Sequence, residues 1–179
     1  LGGGTPTILP AGLICKVLDA LRRGYSVSPD CEITIEANPA TVSRESLSLY
    51  RAAGINRISI GLQSAHCAEL SALSRLHSAD DFTSAMNQAR AAGFENINID
   101  IMYGIPGQTL ESFAKTLDFA LSRKPEHISA YALKIEEGTP LSLCERSSLC
   151  LPDEDAEWDM YLFCIDLLSK HGYRQYEIS

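Results

Sequence analysis

Apolar residues along the chain follow two spacings, one typical of helices and one typical of strands. They recur every three to four positions in five segments, predicting amphipathic helices at about Ala11–Arg23, Ser43–Ala53, Asp80–Ala92, Leu110–Ser122 and Asp153–Lys170. Short β-branched runs between them predict strands at about Cys31–Ala37, Arg57–Leu62, Asn96–Met102 and His127–Leu133. This alternation predicts a parallel α/β sheet with helices outside it, either a barrel or an open doubly wound sheet.

One helix-to-strand segment occurs twice in the sequence. RAAGINRISI at 51–60 and RAAGFENINI at 90–99 share their pattern, and a weaker third copy spans 170–178. Each copy joins a helix end, a glycine and a strand, because glycine adopts the left-handed conformation that closes a helix. The third copy predicts a further strand near Tyr176–Ser179.

Composition and charge narrow the class of protein. The chain has 179 residues, 45% of them hydrophobic, which suffices for one domain with a sizeable core. Its formal charge of -8 argues against nucleic acid or anionic lipid as a partner. No apolar run approaches the roughly 20 residues of a membrane span, and the start lacks signal-peptide features. We therefore expect a cytoplasmic protein.

The cysteines are scattered and lack the spacing of a metal site. They are Cys15, Cys31, Cys67, Cys144, Cys150 and Cys164. No CxxC or CxxxCxxC occurs, and we expect ordinary buried thiols. A disulfide framework is the less favoured alternative, because a chain with a good core does not need one.

Polar or glycine-rich residues follow the predicted strands, where parallel α/β folds bind ligands. The run Gly2–Gly4 can offer main-chain N–H groups to a carboxylate or phosphate. Glu36 and Asp100 can accept from ribose hydroxyls or an ammonium, and Gln63 can both donate and accept. Arg75 offers a fork for a carboxylate. The set fits a nucleoside-bearing zwitterion.

Each of these features also has a purely structural interpretation. Tight turns would explain the glycine run and Tyr103–Gly107. Glu36 could cap the next helix, Asp100 could accept from a loop amide, and Arg75 could be a solvated cation. Their common placement on one side of the predicted sheet favours the functional interpretation.

Six motifs occur in the order found in a known family. They are Gly2–Thr7, Glu36–Pro39, Gly61–Ser64, Asn98–Thr109, His127–Tyr131 and Tyr176–Ser179. Over essentially its whole length the chain resembles the radical S-adenosylmethionine (SAM) proteins related to oxygen-independent coproporphyrinogen III oxidase. Glu36–Pro39, Ile135–Pro140 and the closing motif are more similar to the heme chaperone branch (HemW type) than to the oxidase.

The resemblance implies a partial (β/α)6 barrel in which three cysteines hold a 4Fe-4S cluster and its free iron binds SAM. The reduced cluster would cleave SAM to a 5'-deoxyadenosyl radical that abstracts hydrogen. The family motifs imply that the methionine end of SAM contacts Gly3, Gly4 and Thr5. They imply further polar contacts with Glu36, Gln63, Arg75 and Asp100.

Two parts of the family pattern are not found in the sequence. The cluster cysteines are expected upstream of Leu1, and a heme-related motif is expected beyond Ser179. Residues 1–150 are thus expected to be a radical SAM core without its first strand and cluster-binding loop. Residues 151–179 would begin the post-barrel region with a helix and a strand. The chain alone should therefore bind no cluster and catalyse nothing.

Three functions are compatible with the sequence. The first is a heme chaperone that binds heme, a 4Fe-4S cluster and SAM, works with an electron donor and transfers heme to acceptor proteins. The second is a coproporphyrinogen III oxidase that decarboxylates two propionates to vinyl groups, giving protoporphyrinogen IX. The third is an unrelated (β/α) barrel that binds a phosphorylated metabolite at its glycine-rich ends.

Overall fold

The computed structural model describes residues 1–144 and 148–178; Ser179, which ends the closing motif, lies outside them. The helices are Ala11–Gly24 (α1), Arg44–Ala52 (α2), Cys67–Ala72 (α3), Ala79–Ala91 (α4), Leu110–Ser122 (α5) and Glu154–Lys170 (α6). The strands are Thr34–Ala37 (β1), Arg57–Gln63 (β2), Asn96–Tyr103 (β3) and His127–Ala132 (β4). Short 3-10 helices lie at Pro6–Ile8, Pro39–Thr41 and Pro140–Leu143.

The four strands form one parallel sheet in the order β1-β2-β3-β4. Each strand pairs with the next along the chain, and the order never reverses. A doubly wound sheet has such a reversal, so this topology is that of a barrel wall. Helix α4 packs on β2, and α5 and α6 pack on β3. The expected α/β fold, a partial barrel, is confirmed.

Strand β2 shows how the two faces of the sheet differ. Ile58, Ile60 and Leu62 are 0% exposed and belong to the core that the helices cover. Ser59 and Gln63 alternate with them and lie on the opposite face, because successive strand residues point to opposite sides. The sheet therefore has an apolar face under the helices and a polar face that remains available for ligands.

The repeated segment forms the same helix end in both copies. Gly54 and Gly93 each have φ +88°, the left-handed conformation that the sequence predicted. Arginine recurs as the first residue of each copy because its side chain makes the same hydrogen bond in both. Arg51 donates to the carbonyl one residue after the glycine at 2.8 Å, and Arg90 does so at 3.2 Å. Each arginine thus fastens the helix end to the start of the next strand.

The third copy closes a helix but does not produce the predicted strand. Residues 173–178 form no strand in the part of the chain that is described. Side chains attach this segment instead: Tyr173 Oη donates to the Pro125 carbonyl at 2.5 Å, and Tyr176 Oη lies 2.7 Å from His127 Nε2. A strand needs a backbone ladder, and these contacts hold the segment beside β4 without one.

The cysteines correct one expectation. Burial was expected, but it holds for Cys164 alone, whose burial raises its thiol pKa to about 12. Cys67, Cys144 and Cys150 are exposed, and the other two are half-buried.

None of the helices described reaches the length and apolarity of a membrane span.

Candidate functional site

A polar cleft of about 410 Å³ opens at the carboxyl ends of the strands, a size typical of small-molecule sites. Six of the seven predicted site residues line it: Gly4, Thr5, Glu36, Gln63, Arg75 and Asp100. Gly3 is not among the lining residues. The structure therefore brings six of the seven predicted positions, which are far apart in the sequence, together in one cleft.

The glycine run forms a turn at the edge of this cleft. Gly3 and Gly4 have φ +88° and +72°, and both would have room for a Cβ, so their backbone conformation rather than space requires glycine. At Gly2 a Cβ would lie 2.6 Å from Glu36 Oε1, so the main chain passes directly over that carboxylate. Leu1 pairs with β1, because the Glu36 N–H donates to its carbonyl at 3.0 Å.

Gln63 ends β2 in an unusual conformation. Its φ is +63°, and the Ser64 N–H donates to the Leu62 carbonyl at 2.8 Å, which makes a γ-turn centred on Gln63. Gly61 permits this turn, because a Cβ there would lie 2.8 Å from Gln63 Nε2. Tyr131 Oη donates to Gln63 Oε1 at 3.1 Å. The amide oxygen is thus occupied, and the NH₂ group is left to donate into the cleft.

Asp100 is the most deeply set carboxylate of the cleft. Ser59 Oγ donates to its Oδ2 at 2.9 Å, and Asn98 Nδ2 donates to its Oδ1 at 2.7 Å. Burial raises the pKa of Asp100, and the negative charge of Glu36 adds to this, although the hydrogen bonds oppose it. Its partners are side chains rather than the loop amide considered above. A cationic or hydroxyl-bearing ligand would stabilise its ionised form.

The hydrogen bonds continue across the polar face beyond Asp100. Asn98 Oδ1 accepts from Ser129 Oγ at 3.1 Å and also contacts His127 Nδ1. Burial and the nearby charge of Arg57 lower the pKa of His127. These contacts fix the side chains beneath Asp100 and satisfy their polar atoms before any ligand binds.

Arg75 supplies positive charge to the cleft. It lies on the loop after α3, next to Ser74, whose φ is +55°. Within the described residues its guanidinium forms no ion pair. An exposed, unpaired guanidinium and two carboxylates line the same cleft, so a ligand that carries both charges fits better than a simple anion or cation.

Several residues of the cleft were missed as site residues: Ala37, Asn38, Ser59, Gly61, Ser129 and Tyr131. Asn38 also corrects one structural interpretation, because its Oδ1 accepts from the Ala40 N–H at 3.0 Å and caps the next 3-10 helix. That helix is therefore not capped by Glu36. The available signal was the polar residue at every second position of β2, β3 and β4.

A larger cavity of about 910 Å³ lies between β4, α6 and the segment after α6. It contains none of the seven predicted residues. Apolar side chains such as Ile128, Ile165 and Leu168 line much of it. Charged side chains such as Glu126, Arg174 and Glu177 line it as well, so what distinguishes the smaller cleft is that the predicted site residues meet there.

Metal-binding side chains do not cluster in the ranges 1–144 and 148–178. No group of three His, Cys, Asp or Glu residues there is placed to hold an ion. These residues therefore do not fit an iron-sulfur cluster.

The fold and the cleft together define a (β/α)-barrel protein whose strand ends form a small cleft lined by one cationic and two acidic side chains. The family model of the Radical SAM superfamily matches residues 1–120. The chain belongs to the radical SAM superfamily. The alternative of an unrelated barrel for phosphorylated metabolites is thus wrong.

Curated relatives align with the whole chain. It is 41% identical over 179 residues to the "Heme chaperone HemW" of Haemophilus influenzae, covering 100% of this chain and 46% of the relative. It is 39% identical over 181 residues to that of Bacillus subtilis, covering 100% of this chain and 48% of the relative. The chain thus spans about half the length of these relatives.

A solved structure supports the same fold. The structure of coproporphyrinogen III oxidase (HemN) from Escherichia coli, described as a radical SAM enzyme, matches with a TM-score of 0.86 and 31% identity. The match covers 97% of this chain and 40% of that one. The expected relation to the heme chaperones and to this oxidase is confirmed.

Proposed function

We propose that the cleft binds SAM and that the chain is part of a radical SAM heme chaperone. The observation that carries the first part is the convergence of six predicted residues from five separate segments on one polar cleft. Superfamily membership, shown by residues 1–120, supports SAM as the ligand.

The charges and donors of the cleft fit SAM. Its carboxylate would bind the Arg75 guanidinium, and its ammonium and ribose hydroxyls would bind Glu36 and Asp100. Main-chain N–H groups near Gly4 and the Gln63 NH₂ group would supply further donors. Bound here, SAM would supply a cationic sulfonium centre with cleavable carbon–sulfur bonds. The role of the protein residues is to bind and orient it.

The contribution of Gly3 stays a prediction. It lies next to Gly4 in the same turn but not on the cleft wall. Its φ of +88° shapes the turn that brings Gly4 and Thr5 to the cleft. We infer that Gly3 acts through this backbone conformation rather than by contact with SAM.

The heme chaperone role rests on the relatives named above. Identities of 41% and 39% over the full chain to two proteins named heme chaperone HemW support it. On this proposal the complete protein binds heme, a 4Fe-4S cluster held by cysteines outside this chain, and SAM. It would receive electrons from a donor and transfer heme to acceptor proteins in the cytoplasm. The division at 150/151 remains part of this proposal.

The alternative is an oxygen-independent coproporphyrinogen III oxidase. The match to the Escherichia coli oxidase, with a TM-score of 0.86, favours it. In that case the same SAM cleft would serve the oxidative decarboxylation of coproporphyrinogen III to protoporphyrinogen IX. The two functions share this cleft and differ in what the complete protein does with a porphyrin.

The experiment that separates them uses the full-length, anaerobically reconstituted protein. SAM affinity is measured by calorimetry, heme binding by absorbance titration, and coproporphyrinogen III turnover by chromatography. Stoichiometric heme binding without turnover supports the chaperone, whereas turnover contradicts it. Failure to bind SAM would contradict the assignment of the cleft itself.

A further inference from the structure

Two buried polar residues lie next to the cleft without lining it. Glu69 of α3 and His77, just before α4, are each 4% exposed. A buried carboxylate or imidazole is costly unless its polar atoms are hydrogen-bonded. Their hydrogen-bond partners therefore indicate what these two residues hold in place.

Glu69 joins three segments of the chain. Its Oε2 accepts from Ser64 Oγ at 2.6 Å and from Gln108 Nε2 at 3.1 Å, and its Oε1 accepts from Ser112 Oγ at 2.5 Å. Within the described residues it forms no ion pair. Ser64 directly follows Gln63, so the carboxylate connects the Gln63 turn to the loop after β3 and to the start of α5.

His77 holds the other side of the same turn. Its Nε2 lies 3.1 Å from the Leu62 carbonyl, which also accepts the Ser64 N–H that closes the turn. Because a carbonyl only accepts, Nε2 carries the proton. Nδ1 is buried and has no partner within the described residues. Leu62 and Ser64, the neighbours of Gln63, are thus held by His77 and Glu69 respectively.

The same two residues bracket Arg75 along the chain. Glu69 precedes it by six positions, and His77 follows it by two. Between them the Arg75 N–H donates to the Leu70 carbonyl at 2.9 Å, and Leu70 is 2% exposed. Both ends of the Arg75 segment are therefore attached to buried structure. The Gln63 turn and the Arg75 segment form one unit.

We propose that Glu69 and His77 are positioning residues that hold Gln63 in its left-handed turn and keep Arg75 beside it. A non-glycine residue with φ +63° is strained and persists only when its surroundings enforce it. Without these contacts Gln63 would relax, and SAM binding would have to reorder it. This inference rests on the proposed binding of SAM in the cleft.

The test measures SAM affinity by calorimetry in the full-length reconstituted protein. Glu69→Ala weakens binding about tenfold in the wild-type background and less than about twofold in a Gln63→Ala background, because the effect passes through Gln63. Glu69→Gln is the matched variant. Its amide oxygen can still accept from Ser64 and Gln108, so binding stays within about threefold of wild type.

Two results would overturn the proposal. One is an equal loss of affinity in both backgrounds, or none in either. The other is a similar loss in Leu18→Ala, a core variant of α1 that serves as the control for lost overall stability. Such a loss would mean that affinity follows overall stability rather than the position of Gln63.

Hydrogen exchange separates this proposal from the proposed function. In Glu69→Ala the amides of residues 62–66 exchange faster, while those of α2 exchange at the wild-type rate. If the wild-type protein binds no SAM, the proposed function fails, and this exchange still decides whether Glu69 holds the turn. Unchanged exchange at 62–66 contradicts the positioning role.

Discussion

The two faces of the sheet are held together by different interactions. On the helix-covered face, Ile58, Ile60 and Ile99 are fully buried, and their stabilisation comes from apolar burial and packing. On the opposite face, Ser59 and Asp100 sit in a hydrogen-bonded network that includes a carboxylate of raised pKa. The comparison shows that one face stabilises the fold, whereas the other keeps charged groups ready for a ligand at some cost in stability.

The largest expected effect comes from the apolar face. Ile99→Ala, at a residue that is 0% exposed, should lower the free energy of unfolding by about 2–5 kcal/mol, because it leaves a cavity in the core. Met102→Ala, half-buried on the opposite face of the same strand, is the control and should cost less. Urea denaturation of the full-length protein measures both. Equal losses would contradict the difference between the faces.

The next effect concerns ligand affinity rather than stability. Arg75→Gln should weaken SAM binding by about tenfold or more, since it removes a charge-assisted hydrogen bond. The free energy of unfolding should change by less than about 0.5 kcal/mol, because the guanidinium is exposed and unpaired within the described residues.

Arg44→Gln is the control for Arg75, since this exposed arginine begins α2 and does not line the cleft. It should leave SAM affinity unchanged. Calorimetric titration of both variants checks the pair. If Arg75→Gln binds SAM like wild type, the carboxylate of SAM is not held there.

A smaller effect follows from the raised pKa of Asp100. Because burial raises the folded-state pKa of Asp100 above its value in the unfolded chain, folding disfavours the ionised form, and the contribution of Asp100 to stability falls as pH rises through the folded-state pKa. A cationic ligand competes with that proton, so SAM affinity should fall as pH is lowered from 7 toward 4.5. Asp100→Asn should flatten this dependence, measured by titrations at several pH values. A slope unchanged in the variant would rule out Asp100 as its source.

The smallest effect is expected from His77, whose imidazole contacts the Leu62 carbonyl near the end of β2. Burial is the largest influence on the pKa of His77 and lowers it. The positive charge of Arg75 also lowers this pKa, whereas the hydrogen bond to the Leu62 carbonyl and the negative charge of Asp81 raise it. The unfolded chain therefore binds the proton first, and stability is lost as pH falls below about 6.5 toward the folded-state pKa. Chemical denaturation at pH 7.5 and 5.5 should show a smaller drop in His77→Gln. An equal drop would assign the loss to other groups.

Much of the fold could be predicted because its signals are local. Four strands and five helices carry strong periodicity, and caps such as Ser43 and Gly54 mark their ends. Helix α3 was missed because six residues are too few to show a period. The strand expected near Tyr176–Ser179 is not formed by the described residues 173–178, since a helix end and a glycine predict a turn but not a pairing partner.

Some residues of the cleft could be predicted from their position near a strand end, whereas others enter the cleft only through the pairing of neighbouring strands. Glu36 lies next to the end of β1 and Asp100 lies in the second half of β3, and parallel topology brings these parts of the two strands to the same side of the barrel. Ser59 and Tyr131 enter the cleft through the register across β2, β3 and β4, which one sequence does not give. The positive φ of Gln63 was also hidden, because glutamine has no preference for that region.

The sequential order of the sheet has a consequence for how the chain is made. Because β2 adds to β1, β3 to β2 and β4 to β3, every strand finds its neighbour one helix-strand unit away. This order allows a nascent chain to build the wall one unit at a time. The cleft needs β3 before Asp100 can meet Gln63, and β4 before Tyr131 can reach it. On the ribosome, ligand competence should therefore appear only after the fourth strand has emerged.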